Sequence, residues 1–317
     1  MTGKERVRRA IQFESPDRVP ILYFNADQEK SDILIVDVCH NFMGKEKDTS
    51  EWGFKWERMD DTMGQPQNAP LSDWSRFASF RAPEIEAENR FMPARAALEN
   101  IDGRYALASL QLSGFTIMSF LRGFETIMMD FALEPEKVHA LARIVFGFEN
   151  ALLPHIKEAG FDGVAFYDDW GTQNNLIISP NQWREMMREY YQHQFDLASN
   201  LGLDVYFHTC GYVEPIIGDL IDAGVNILNL SQPNLYDMEK LGTDFGGKVC
   251  FVCPVSYQTT SITGTREDIF ADVRKMVKCL GNFGGGLIGY VEEYSSIGLS
   301  DENYNSCAEA FLLLGQY

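Results

Sequence analysis

From about Arg104 onward, the sequence repeats one order of segments, in which a short apolar strand is followed by an amphipathic helix and then by glycine before the next strand. Parallel strands need a crossover between them, usually a helix, so this alternation is typical of parallel sheets. Six strands are predicted here, at residues 105–112, 163–167, 203–207, 225–230, 248–252 and 287–291. The alternation restricts the fold to the α/β class.

The helices predicted between these strands have recognisable ends. Ser179 and Pro180 precede a helix over residues 181–200, and they are residue types preferred at the N-cap and at the first helical position. Gly224 follows the helix predicted at 213–223, as expected of a C-terminal cap. The other predicted helical regions cover residues 115–159 and 265–280.

Two further strands are predicted in the first part of the chain, at residues 19–24 and 52–59. Eight strands joined by helices, with polar residues only at their C-terminal ends, predict a (β/α)8 TIM barrel. An open doubly wound sheet is the main alternative, but no G-x-G-x-x-G motif follows an early strand. We expect one domain over residues 1–317, with residues 1–100 as an elaborated N-terminal part.

The charge balance argues against several classes of partner. The 317 residues include 27 Lys and Arg against 46 Asp and Glu, and the net charge of −19 repels nucleic-acid phosphates and anionic lipid surfaces. No apolar run approaches the ~20 residues of a membrane-spanning helix. The six scattered cysteines favour reduced thiols or metal ligands over disulfides. We therefore expect a soluble, cytoplasmic protein.

Polar side chains follow the ends of five consecutive predicted strands. In a barrel these ends form one rim, so the side chains are expected to line a single pocket. The residues are Asp168 and Asp169, His208 and Cys210, Asn229 and Gln232, Cys253 and Ser256, and Glu292 and Glu293.

His208 and Cys210 form an H-x-C pattern at the end of one predicted strand. Residues two apart on a strand project to the same side, and imidazole with thiolate suits zinc. Either Glu292 or Glu293 could add a carboxylate, because only one of two adjacent strand residues points into the mouth. The alternative is a hydrogen-bonded core histidine beside a buried cysteine.

Two other cysteines lie near the next strand but one. Cys253 follows this strand and is a candidate third ligand, although it could also be a small core residue. Cys250 is three residues earlier, on the opposite face, and is expected to pack against helices.

Acidic and aromatic residues surround the same rim. Of Asp168 and Asp169, one is expected to enter the pocket as a general acid, base or ligand orienter, while the other caps or solvates the loop. Aromatic surface for a flat ligand would come from Tyr167, Trp170, Tyr257 and Tyr294, although core packing explains each of them equally well.

Several short segments then identify a family. They are residues 2–11 with 16–20 (PDRVP), 51–53 with Trp56, 122–125 (RGFE), 168–173 (DDWGTQ), 178–180 (ISP), 207–211 (FHTCG), 229–233, Gln258 with 264–265, and 284–286 with 302–303. In this order and spacing, the chain resembles the uroporphyrinogen decarboxylase superfamily, which includes the decarboxylase and the zinc- and corrinoid-dependent methyltransferases. The resemblance extends over nearly the whole chain and implies a (β/α)8 barrel.

Departures from the family pattern separate its branches. True decarboxylases carry an arginine-rich stretch that grips the substrate's carboxylates, whereas residues 21–28 read ILYFNADQ here. Together with the net charge, this disfavours a polycarboxylate substrate. The methyltransferase branch has H-x-C and a further Cys on the last strand. His208 and Cys210 match it, while Glu293 or Glu292 replaces the last Cys.

The resemblance therefore implies a corrinoid-dependent methyltransferase, which moves a methyl group from a small O-, S- or N-methyl substrate to a cobalt corrinoid protein. Its implied zinc ligands are His208, Cys210, Glu293 and Cys253. The predicted catalytic residues are Asp168, Asp169 and Tyr167, and the predicted substrate-binding residues are Trp170, Asn229, Gln232, Tyr257 and Gln258. Two alternatives stay open, namely a cofactor-free uroporphyrinogen decarboxylase-type carboxy-lyase and a non-catalytic ligand-binding barrel.

Overall fold

The structure, a computed structural model, describes residues 1–44, 46–58 and 64–317. The strands in these residues are β1 (Ile21–Phe24), β2 (Ile33–Asp37), β3 (Trp56–Glu57), β4 (Gln65–Pro66), β5 (Tyr105–Ser109), β6 (Gly163–Tyr167), β7 (Asp204–Thr209), β8 (Ile227–Leu230), β9 (Cys250–Pro254) and β10 (Leu287–Glu292). The helices are α1 (Gly3–Gln12), α2 (Ala87–Glu99), α3 (Gly114–Arg122), α4 (Phe124–Leu133), α5 (Pro135–Ala159), α6 (Pro180–Met186), α7 (Arg188–Asn200), α8 (Glu214–Asp222), α9 (Met238–Phe245), α10 (Thr260–Thr263), α11 (Arg266–Leu280) and α12 (Asp301–Leu314).

Eight strands form a parallel sheet in the order β1, β10, β9, β8, β7, β6, β5 and β2. The two end strands meet where the Asp32 amide donates to the Ile21 carbonyl at 2.9 Å, so the sheet curls into a nearly closed barrel. Helices surround it. The predicted (β/α)8 barrel is confirmed.

One predicted barrel strand is wrong. Within residues 52–59, Trp56–Glu57 pairs antiparallel with Gln65–Pro66 outside the barrel, and Met59 lies outside the described residues. The alternating Trp52, Phe54 and Trp56 are buried in an aromatic cluster, which gives the segment the pattern of a strand. The missing strand is β2, which follows β1 after a short loop with no α-helix between them.

The predicted helical regions are helical in the structure, but two of them are interrupted. The region 115–159 is three helices, because Gly123, at φ 87°, separates α3 from α4 and Pro135 begins α5. The region 181–200 breaks at Met187 into α6 and α7. The Ser179 hydroxyl accepts from the Gln182 amide, which confirms the predicted N-cap. No helix in the described ranges is long and apolar enough to cross a membrane.

The barrel interior is filled by one apolar cluster. It contains alternate residues of the strands, among them Leu22, Tyr206, Ile227 and Ile288. Three residues of α1, Val7, Ala10 and Ile11, belong to the same cluster and therefore plug the N-terminal end of the barrel. The open end is the one at which the strands terminate.

A buried ionic cluster joins β1 to β2. The Asp32 carboxylate accepts from Arg6 at 2.5 Å, from Arg18 at 2.8 Å and from the Ile21 amide at 2.8 Å. Arg6 also pairs with Asp17 at 2.6 Å. The Asp32 side chain is only 6% exposed. If Asp32 were removed, little water could reach its position to hydrogen-bond the arginines in its place.

We predict that Asp32→Ala lowers the free energy of unfolding by about 3–5 kcal/mol, because it removes the buried carboxylate that Arg6 and Arg18 share and leaves the Ile21 amide without its acceptor. Asp244→Ala is the matched control, since Asp244 is 41% exposed in its pair with Lys240 and is expected to contribute less than about 1 kcal/mol. Urea unfolding of both variants measures the difference. Equal losses in the two variants would contradict the role of Asp32 in closing the barrel.

Candidate metal centre at the barrel mouth

Three potential metal ligands from two neighbouring strands meet at the open end of the barrel. The ligand atoms of Asp169, His208 and Cys210 all lie within 4.8 Å of one another. His208 Nε2 is 3.7 Å from Cys210 Sγ and 3.9 Å from Asp169 Oδ1. Nitrogen, sulfur and oxygen donors in this arrangement are a ligand set that zinc accepts.

Asn229 fixes the orientation of the His208 ring. The Asn229 amide nitrogen donates to the Val252 carbonyl at 2.8 Å, which directs its oxygen to His208 Nδ1, 2.5 Å away. This carbonyl oxygen is an acceptor, so Nδ1 donates to it and Nε2 is the ring nitrogen that faces Cys210 and Asp169. Asn229, predicted to bind substrate, hydrogen-bonds the ring of a candidate metal ligand, and Ser231 Oγ lies 3.4 Å from the same Nδ1.

Two glycines bring the loops after β6 and β7 into backbone contact. A Cβ on Gly211, whose φ is +76°, would lie 2.2 Å from the Gly171 carbonyl carbon, so no side chain fits there. This close approach accompanies a hydrogen bond of 2.7 Å from the Cys210 amide to Asp169 Oδ1. Gln232, another predicted substrate-binding residue, accepts from the Gly211 amide at 2.6 Å and holds this turn.

Asp168 and Asp169 have different environments. Asp168 is fully buried and accepts from the Phe115 and Thr116 amides at 2.8 Å each, so it caps the start of α3. The Tyr191 hydroxyl donates to it at 2.5 Å. Burial raises the pKa of Asp168 to about 7. Asp169, with its side chain 49% exposed, is therefore the acid of the pair that faces the mouth.

Of the two glutamates at the end of β10, Glu292 and not Glu293 continues the inward-facing positions. Ile288 belongs to the interior cluster with Tyr290 packed against it, so Glu292 follows on the same face. Burial raises the pKa of Glu292, and His208 acts against this rise. Glu293 accepts from the Ser295 amide at 2.6 Å in its own loop. The structure does not bring Glu293 to the Asp169, His208 and Cys210 group.

Cys253 and Cys250 face opposite sides of β9, but each faces the side that was predicted for the other. Asn229, the partner of His208, is in register with Val252, and Cys250 lies with Val252 in the interior cluster. Cys253 is fully buried on the outer face, against the helices. Burial raises the pKa of its thiol to about 12. Cys253 is therefore not placed among the three candidate ligands.

The predicted aromatic residues divide between mouth and core. The Tyr167 ring centroid is 5.0 Å from that of His208. Tyr257 and Tyr294 pack together at 4.9 Å, and the pKa of Tyr257 is raised by burial and then by Cys210 and Asp169. These three therefore lie at the mouth.

Two other predicted substrate-binding residues lie elsewhere. Trp170 is fully buried and stacks on Phe115 at 4.2 Å, so it is a core residue. Gln258 is exposed and hydrogen-bonds Asn234 and Gln173 at 3.1 and 3.3 Å on the loop surface.

Asp37 is a mouth residue that sequence analysis missed. It ends β2 and shares the inward face with Ile33 and Ile35, and it accepts from Gln111 at 2.8 Å. The apolar run before it, ILIV, was a usable signal. The repeating pattern of strand and helix does not reveal it, because no α-helix separates β2 from β1.

We predict that protein purified without added zinc or chelator carries about one zinc per chain, as expected of a three-residue site. His208→Ala and Cys210→Ala should lose the metal, because each removes one of three ligands. Cys253→Ala is the matched control and should keep it. Elemental analysis of the four proteins measures the content, and equal loss in all three variants would indicate unfolding and not ligation.

The buried Glu149 behind the mouth gives a second prediction. It accepts from the Gly114 amide at 2.7 Å and from Gln194 at 2.8 Å, and burial raises its pKa from 4.5 to about 8. A raised carboxyl pKa contributes stability that is complete below pH 4.5 and is lost as the pH rises through 8.

Glu149→Gln should therefore flatten the decline of unfolding free energy between pH 5 and 8 by an amount on the order of 2–4 kcal/mol. Glu158→Gln, at a position 70% exposed on the same helix, should leave the decline unchanged. Urea titrations at several pH values test this, and parallel curves for wild type and Glu149→Gln would refute it.

Comparison with known proteins identifies the family and supports the barrel fold. Residues 59–290 match the family model described as Uroporphyrinogen decarboxylase (URO-D). A methyltransferase from Methanosarcina mazei shares the fold, with a TM-score of 0.75, 14% identity and 98% coverage of both chains. A D-psicose 3-epimerase from Clostridium cellulolyticum H10 has a TM-score of 0.48 at 10% identity, over 92% of this chain and 94% of the other. No curated protein sequence matches. Since the family model covers well over half of its residues, the chain belongs to the uroporphyrinogen decarboxylase family.

Proposed function

We propose that this protein is the substrate-specific methyltransferase of a corrinoid-dependent demethylation system. It takes a methyl group from a small O-, S- or N-methyl compound and passes it to the reduced corrinoid of a separate protein. The observation that carries the proposal is the Asp169, His208 and Cys210 group at the open end of the barrel. The fold shared with the methyltransferase from Methanosarcina mazei adds support.

The three candidate ligands would hold the metal through His208 Nε2, Cys210 Sγ and an Asp169 carboxylate oxygen. Zinc bound there supplies Lewis-acid chemistry, which stabilises negative charge on the heteroatom that loses the methyl group. The bond between the methyl carbon and the heteroatom breaks with its electron pair left on the heteroatom. Burial and the Asp169 carboxylate raise the pKa of the Cys210 thiol, so metal binding has to displace its proton.

The remaining mouth residues position the substrate. Tyr167 lies against the His208 ring, and the Tyr257–Tyr294 pair lies on the β9 and β10 side of the site. These rings would limit the directions from which a small molecule can approach the metal ligands and would exclude water from that side. Asn229 keeps Nε2 of His208 directed at Cys210 and Asp169, where the metal would be held, through the hydrogen bonds to Nδ1 and Val252.

The mouth is poorly suited to the parent decarboxylation. Binding a porphyrinogen with many carboxylates requires cationic side chains, preferably arginine. The buried arginines of the described chain are instead paired with acids, as Arg90 is with Glu51 at 2.6 Å and Arg122 with Asp130 at 2.6 Å. The charged residues beside His208 and Cys210 are the acids Asp169 and Glu292.

The test is methyl transfer from a panel of methoxy, methylthio and methylamino compounds to free cob(I)alamin under anaerobic conditions. With wild-type protein, we expect the absorption band of cob(I)alamin to decrease and the demethylated product to appear. His208→Ala and Cys210→Ala should each lower the rate by about 100-fold or more, because the leaving heteroatom loses its Lewis acid. Cys253→Ala should retain the rate within a few-fold.

Two outcomes would count against the proposal. Unchanged transfer in the His208→Ala/Cys210→Ala protein would remove the metal group from the reaction. Turnover of uroporphyrinogen by metal-free protein would favour the carboxy-lyase alternative.

A further inference from the structure

Among the described residues, the inward-facing strand positions around the mouth include acids and aromatic rings and no lysine or arginine. Residues two apart on a strand share a face, so these positions continue those of the interior cluster. The positions that bear on the charge of a ligand are Phe24, Asp37, Tyr167, Asp169, Tyr290 and Glu292. Three of them are carboxylates, and none is lysine or arginine.

Two of the carboxylates, Asp37 and Glu292, have only neutral hydrogen-bond partners among the residues that the structure describes. Asp37 is exposed and accepts from the neutral Gln111 amide. Glu292 is half-buried and accepts from the Tyr290 hydroxyl at 2.6 Å and from Asn25 at 3.2 Å. Neither forms an ion pair with any residue that the structure describes.

Both carboxylates face the same space beside the candidate metal ligands. Burial raises the pKa of Tyr167, and the charges of Asp37 and Glu292 add to the rise, so both carboxylates lie within electrostatic range of this inward-facing residue. The ring of Tyr167 is 5.0 Å from that of His208. A small molecule that reaches His208 therefore passes within range of both acids.

Aromatic faces accompany these acids. Phe24 stacks on Tyr290 at 6.0 Å, directly beside Glu292, and Tyr257 packs on Tyr294 at 4.9 Å. The negative face of an aromatic ring attracts ammonium groups within ~6 Å, and the attraction is stronger where water is excluded. The rings and the two carboxylates therefore both favour a positively charged ligand.

A metal ion does not cancel this preference. A divalent cation held by neutral His208, the Cys210 thiolate and the Asp169 carboxylate forms a neutral group. The charges of Asp37 and Glu292 then remain at the mouth, where they repel anionic substrates and attract cationic ones.

From these observations we propose that the substrate is a small cation, a methyl ether or methyl thioether that carries an ammonium group, and that Asp37 and Glu292 bind this group. The assignment of the ether or thioether to the metal side rests on the proposed function. The charge preference rests only on the residues of the mouth.

Three methyl ethers of similar size but different charge test the preference. They are 2-methoxyethylamine, which is protonated at neutral pH, uncharged 1,2-dimethoxyethane, and anionic methoxyacetate. Calorimetric titration of the zinc-loaded protein at low ionic strength should show the cation binding at least ~10-fold tighter than the neutral ether, with no saturable binding of the anion. Added salt should reduce the difference.

Matched variants test which carboxylates cause the preference for the cation. Glu292→Gln and Asp37→Asn should each reduce the preference for the cation over the neutral ether by about fivefold or more, which is the loss of one close charge. Glu293→Gln removes the same charge from the neighbouring residue, whose carboxylate accepts from its own loop, and should leave the preference unchanged. Zinc content should be the same in all three variants.

Equal affinity for the three ethers, or an equal effect of Glu292→Gln and Glu293→Gln, would overturn the proposal. Loss of zinc in Glu292→Gln would also overturn it, because Glu292 would then be a metal ligand. If the cation is preferred but no methylated compound transfers its methyl group to cob(I)alamin, the proposed function fails while the charge preference is supported. If methyl transfer occurs without a preference for cations, the proposed function is supported and the charge preference fails.

Discussion

The alternation of side chains along eight parallel strands governs what can meet at the mouth of this barrel. Each inward position is fixed by the apolar residue two positions before it, and the interior is filled from the α1 plug upward. His208 therefore follows Tyr206, and Glu292 follows Tyr290, without freedom to change faces. A one-residue shift of any strand would exchange its inward and outward side chains and remove its contribution to the mouth.

The loops that follow the strands add contacts between side chains that the alternation alone does not provide. Asp168 turns away to cap α3, and the adjacent Asp169 is thereby presented to the mouth. The glycine contact between the β6 and β7 loops then brings Asp169 to the Cys210 amide. Two adjacent acids thus serve structure and site separately, and the difference arises from their hydrogen-bond partners and not from their chemistry.

Sequence reasoning predicted the barrel, seven of its strands and the H-x-C pair, because these depend on local apolar runs and on the two-residue period. It failed where the answer depends on register between strands. Cys250 and Cys253 could be assigned to faces only through the pairing of Val252 with Asn229. It also failed for Asp37, because β2 follows β1 without the helix that the repeating pattern requires. The burial of Asp168 depends on the distant helix α3, which no local pattern reveals.

The plug formed by α1 has a kinetic consequence. With the N-terminal end filled by Val7, Ala10 and Ile11, a small molecule reaches and leaves the His208 region through one opening. A protein partner seated over that opening would block this route for exchange. Two-substrate kinetics would then be ordered, with the small molecule bound before the protein docks and its product released after the protein leaves. An excess of the protein partner would inhibit turnover by occupying the empty barrel.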